Sequence, residues 1–121
     1  MPIKPYLQTA AAQLRRAAQE RKRESDEMRA AIHQKEVKHS QYTNDLEKHM
    51  RYKRTEVRQA GDAAEQTLKA KEIQQLQQAK SAAEQHLNQE KQGHLDTISA
   101  KENDMQDLLH KAAELESRPA D

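Results

Sequence analysis

The chain has 121 residues with no Cys, Trp or Phe; it is 34% hydrophobic, 34% charged and only 2% aromatic. Large aromatic and branched side chains supply most of the buried area of a compact domain, so a thick globular core is excluded, leaving an extended helical assembly with a narrow apolar seam or a disordered polar chain. The net charge of +1 hides an uneven division: residues 1–60 carry 14 Lys/Arg against 8 Asp/Glu, whereas residues 61–121 carry 7 against 12.

Without cysteine, disulfides, thiolate zinc sites and cysteine nucleophiles are ruled out. The opening "MPIKPYLQTAAAQLRRAAQ" holds no apolar run long enough for a signal peptide, and no stretch of about 18 apolar residues follows that could span a bilayer. A soluble cytoplasmic protein without membrane association is expected.

Pro5 suits the first turn of a helix, where its missing N–H costs nothing. From there residues 6–60 form a basic, Arg-rich arm in which apolar residues recur at heptad spacing. With Leu7 as d, the d positions are Leu7, Leu14, Arg21, Met28, Lys35, Tyr42, His49 and Glu56. The a positions are Ala11, Ala18, Ser25, Ile32, His39, Leu46, Lys53 and Ala60. Several of these are polar, which makes the coiled-coil seam a weak one.

The turn is expected at residues 61–62. Gly61 suits the left-handed residue that ends a helix, and Asp62 with Glu65 spells an Asp-x-x-Glu capping box for a new helix. Residues 63–116 form the second, acidic arm, and 117–121 a frayed tail containing Pro119. Folding the chain about Gly61 brings residue i opposite residue 122 − i. Leu7 then faces Leu115, Leu14 faces Leu108, Ala17 faces Met105, and Leu46 faces Leu76; Met28 and Leu87 extend the seam less regularly. The fold expected is an all-α, long antiparallel two-helix coiled-coil hairpin bending at Gly61-Asp62. Opposite net charge on the two arms favours that pairing. One glycine inside a helix costs only about 1 kcal/mol relative to Ala, so a continuous long helix in a parallel coiled-coil dimer is the alternative. The spacings Leu46–Val57–Leu68 and Leu76–Leu87–Ile98–Leu109 also follow an 11-residue period. Further breaks near residues 39–45 or at Gly93 would instead give a three- or four-helix bundle.

Enzyme signatures are absent. The two glycines, Gly61 and Gly93, cannot build a phosphate-cradling loop or nucleotide fingerprint, and a two-helix seam offers no water-excluding cleft. No cofactor and no small-molecule substrate are expected. One constellation has metal-ligand chemistry: His33, Glu36, His39, His86 and Glu90, with Glu36 and His39 at Glu-x-x-His spacing. In a chain this polar, scattered solvated histidines are the expected reading, and no metal site is assigned. The basic arm offers Arg15, Arg16, Arg21 and Arg23 as phosphate contacts, but Glu20, Glu24, Asp26 and Glu27 interrupt this cluster and no aromatic residue interleaves it. Paired alanines such as Ala17–Ala18 and Ala112–Ala113 widen the apolar stripe. A non-enzymatic spacer, scaffold or adaptor is therefore expected, bound to a protein partner or self-associated as a dimer in a four-helix assembly. The alternative is a nucleic-acid-associated protein using the basic arm.

Overall fold

Lys4 and Pro5 start the first helix as the proline predicts. The Lys4 carbonyl accepts the first backbone bonds, from Leu7 N at 2.9 Å and Gln8 N at 3.1 Å, and Pro5 occupies the position that needs no donor. In the computed structural model, which describes residues 4–118, α1 runs Pro5–Gln59 and α2 runs Ala63–Glu116. The two helices pack antiparallel as a hairpin, with no strand among the described residues. Both are unbroken through residues 39–45 and Gly93, so the bundle alternatives are overturned, as is the continuous helix. The reason is local: good helix formers dominate each arm, and neither the Ser40–Asn44 stretch nor a single glycine is costly enough to end a helix fixed by its neighbour. Of the tail expected over 117–121, residues 119–121, including Pro119, lie outside the described residues.

The turn differs from expectation in one respect. Asp62 caps α2, its Oδ1 accepting from Glu65 N at 2.7 Å and its carbonyl from Gln66 N at 3.1 Å, which is the aspartate's half of the expected capping box. Gly61, however, does not have a positive φ. The last turn of α1 tightens instead, with Ala60 N donating to Val57 O at 3.3 Å, and Gln66 Nε2 reaches back to the Ala60 carbonyl at 3.2 Å. These bonds occupy exposed carbonyls that a left-handed cap would otherwise have served.

The hairpin divides into two units. One comprises Met1–Ile32 with Gln92–Asp121, the other His33–Lys91. In the first, the buried side chains are Leu7, Ala11, Ala18, Ser25, Ile32, Ile98 and Ala112, a core built mostly from small residues. Ser25 is tolerated there because its hydroxyl donates to the Lys22 carbonyl at 2.9 Å. In the second, Met50 is fully enclosed.

Within the first unit the α1 seam follows the expected a and d positions. In the second the a positions His39, Leu46 and Lys53 stay in the seam, but two d positions give way to the next residue: Thr43 and Met50 are withdrawn from solvent, whereas Tyr42 and His49 are exposed. A strict heptad drifts by about 20° per repeat on a 3.6-residue helix, so the five repeats from Leu7 to Tyr42 accumulate about 100°, one residue's rotation. The steps Ile32, Lys35, His39, Thr43 absorb that drift as one 11-residue repeat, a heptad lengthened by four residues, and Leu87, Glu90, His94, Ile98 show the same 3-4-4 pattern on α2. The 11-residue spacing in the sequence thus has a structural counterpart, although Leu68 and Leu109 fall outside the seam.

Candidate functional site

The two helices meet along a partly apolar seam bordered by charged side chains. All nine leucine and methionine positions expected in the seam are withdrawn from full exposure: Leu7 is buried, and Leu14, Met28, Leu46, Leu76, Leu87, Met105, Leu108 and Leu115 are half-buried. Met50, the best-buried large side chain, escaped the heptad reading because the stutter at 39–43 displaced it by one position.

Ion pairs line the seam on both sides. In the first unit, Arg15 pairs with Glu116, Arg29 with Glu102 and Lys101 with Glu24, while Arg21 Nε meets Asp104 Oδ2 at 2.7 Å. In the second, Lys35 pairs with Glu90, and Lys53 meets Glu72 and Lys80 meets Glu47, each at 2.7 Å. Lys69 meets Glu56 at 2.8 Å and Lys91 lies 3.7 Å from Glu36. In five of these nine pairs the residue numbers add to 125, and in none to 122, the value for level residues about Gly61. The offset is always in the same direction and follows from side-chain lean. Cα–Cβ bonds tilt toward the N-terminus of each helix, so in an antiparallel pair long side chains reach past the level position toward each other.

The arms also contribute differently in the two units. In the first, three of the four cross-helix pairs take their cation from α1, as the charge division suggests. In the second, three of the five take it from α2. Lys69 and the Glu72 partner Lys53 link through Glu56, which lies 3.5 Å from Lys53, into a chain of alternating charge close to the turn. These ammoniums hold the carboxyls of Glu72, Glu56, Glu47 and Glu90 below the usual carboxylate range: Lys53 acts on Glu72, Lys69 on Glu56, Lys80 on Glu47 and Lys35 on Glu90. Reciprocally, hydrogen bonding to Glu72 and Glu47 raises Lys53 and Lys80.

The histidine and glutamate group does not converge. His33, Glu36 and His86 are exposed and His39 and Glu90 half-buried. The Glu90 carboxylate is taken by Lys35 and by His86 Nε2 at 2.5 Å, and Glu36 faces Lys91. Among the described residues no cluster of three or more His, Asp or Glu side chains is arranged to hold a metal ion.

Three of the four arginines read as phosphate contacts are committed to carboxylates. Arg15 pairs with Glu116, Arg21 with Asp104, and Arg23 with both Glu20 and Glu27 on its own helix. Only Arg16 has no such partner among the described residues. Further along α1, Lys48, Arg51, Arg54 and Arg58 likewise have no carboxylate within ion-pair distance among the described residues, their neighbours Glu47 and Glu56 pairing with other lysines. Composition alone does not tell which cations of the basic arm the second helix occupies.

Clefts along the second unit are shallow. One of about 330 Å³ is lined by His49, Lys53, Glu72, Gln75 and Leu76, and one of about 200 Å³ lies at Lys35, His39, Leu87 and Glu90. Both open to solvent between long charged side chains. No helix among the described residues is long and apolar enough to cross a membrane. No protein-family model, curated protein or solved structure matches the chain.

Proposed function

We propose that this hairpin is a non-enzymatic structural and interaction subunit, a spacer, scaffold or adaptor that self-associates into a four-helix assembly. The observation carrying this reading is the thin core of the first unit. Ala11, Ala18, Ser25 and Ala112 fill seam positions where larger side chains would bury more, and burial scales with apolar area at about 25 cal/mol per Å². On the outer face of α2 in the same unit, Leu95 and Leu109 remain exposed. They are two heptads apart and so share one flank of the helix. A second copy laid against that flank would cover both leucines and supply the burial a two-helix seam lacks.

Sedimentation equilibrium over a concentration series tests this. The expected result is a shift from the mass of one chain to that of two, reversed in a Leu95→Gln, Leu109→Gln variant that keeps its helicity. A single-chain mass at every concentration, or association indifferent to both substitutions, rejects the self-association reading.

A further inference from the structure

Lys48, Arg51, Arg54 and Arg58 follow one another at three, three and four residues along α1, so consecutive members are neighbours on the helix surface. All four are exposed. The carboxylates nearest in sequence make their ion pairs with other cations, Glu47 with Lys80 and Glu56 with Lys69 and Lys53, and Arg51 and Arg54 act on Glu47 only through space. Elsewhere on α1 cations are interleaved with acids, as Arg23 is with Glu20 and Glu27. Here like charges sit at i,i+3 and i,i+4, which is unfavourable in an isolated helix. The helix dipole offsets this only for Arg58, the cation in the last turn, because its effect fades within one turn. Tyr52, one helical turn on from Lys48 and 66% exposed, flanks the stripe at its Lys48 end.

We propose that Lys48, Arg51, Arg54 and Arg58 form a stripe that binds the phosphate backbone of a nucleic acid without reading its sequence, with Tyr52 as a stacking face. At 1.5 Å per residue the stripe extends about 15 Å, the axial rise of four to five nucleotides of one strand at about 3.4 Å each. Guanidinium forks match phosphate oxygens in pairs, and bound phosphates turn the mutual repulsion of the four cations into attraction. An acidic protein segment would satisfy the charges but would make no use of an exposed aromatic beside them.

Fluorescence anisotropy with labelled single-stranded and duplex oligonucleotides of equal length, titrated at several salt concentrations, tests the stripe. Four phosphate contacts predict a slope of about −3.6 in log affinity against log salt for duplex, or about a 150-fold loss between 50 and 200 mM. R51Q/R54Q/R58Q should flatten that slope to about −0.9 with unchanged far-ultraviolet circular dichroism, and R54Q alone should reduce it by about 0.9. R16Q/K22Q, which removes two cations elsewhere on α1, should leave it unchanged. The proposal is overturned by absence of salt-sensitive binding to either oligonucleotide. It is equally overturned by an equal loss in R16Q/K22Q, or by displacement with poly-L-glutamate as effective as with unlabelled oligonucleotide of matched charge, which would assign the stripe to an acidic protein.

Discussion

Replacing Gly61 by alanine separates two accounts of the turn, because they predict opposite signs. A left-handed Gly61 would make Gly61→Ala destabilising, since an L side chain in that conformation costs about 1–2 kcal/mol. In the structure Gly61 has no positive φ, and a Cβ built on it meets nothing within 4 Å. The substitution then acts mainly through the unfolded chain, which loses conformational freedom, and should stabilise by about 0.4–1 kcal/mol. With an unfolding entropy of about 2.1 cal/mol/K per residue over the 121 residues, that gain raises Tm by about 1.6–4 °C. Differential scanning calorimetry or thermal circular dichroism resolves such a shift. Gly93→Ala is the internal control: it lies inside α2 with nothing within 4 Å of its added Cβ, so it should gain about 0.8–1 kcal/mol from helix propensity alone. If Gly93→Ala stabilises while Gly61→Ala lowers Tm, the turn geometry described above is wrong.

Asp62→Ala removes the cap on Glu65 N and should cost about 0.5–2 kcal/mol in urea unfolding, with Asp62→Asn close to neutral. The displaced seam predicts a contrast between neighbours: Met50→Ala should cost about 2–5 kcal/mol and His49→Ala less than about 0.5. Equal effects, or the reverse order, would restore the uninterrupted heptad. Stability should also depend on acid. Glu47, Glu56, Glu72 and Glu90 bind protons less readily folded than unfolded, so their contribution is present above the unfolded carboxylate value near pH 4.3 and is lost as pH falls through the lower folded values. Urea midpoints measured across that range should fall on acidification, and a rise would contradict the pairing. Lys53 and Lys80 act in the opposite sense, contributing below the ordinary lysine value and losing that contribution as pH rises through their raised folded values.

The path of the chain was legible in its residues. Scarcity of large apolar side chains excluded a globular core, and more than a hundred residues without proline required long helices. Gly61 followed by Asp62 and Glu65 placed the reversal within a residue of where α1 ends and α2 begins. Such features depend on the local backbone and on each residue's own chemistry, and they need no knowledge of what lies opposite.

The partner helix decided the rest. Which of two adjacent residues, His49 or Met50, faces inward depends on rotation accumulated over five heptads, a quantity that no short window contains. The shortest contact of Arg21 is to Asp104, 83 positions away, rather than to Glu24 on its own helix. Arg15, Arg21 and Arg29 find carboxylates on α2, at Glu116, Asp104 and Glu102, whereas among the described residues α2 brings none within ion-pair distance of Lys48, Arg51, Arg54 and Arg58. Helix formation is a short-range property and so can be read residue by residue, whereas burial and charge pairing are set by what the fold brings across the seam.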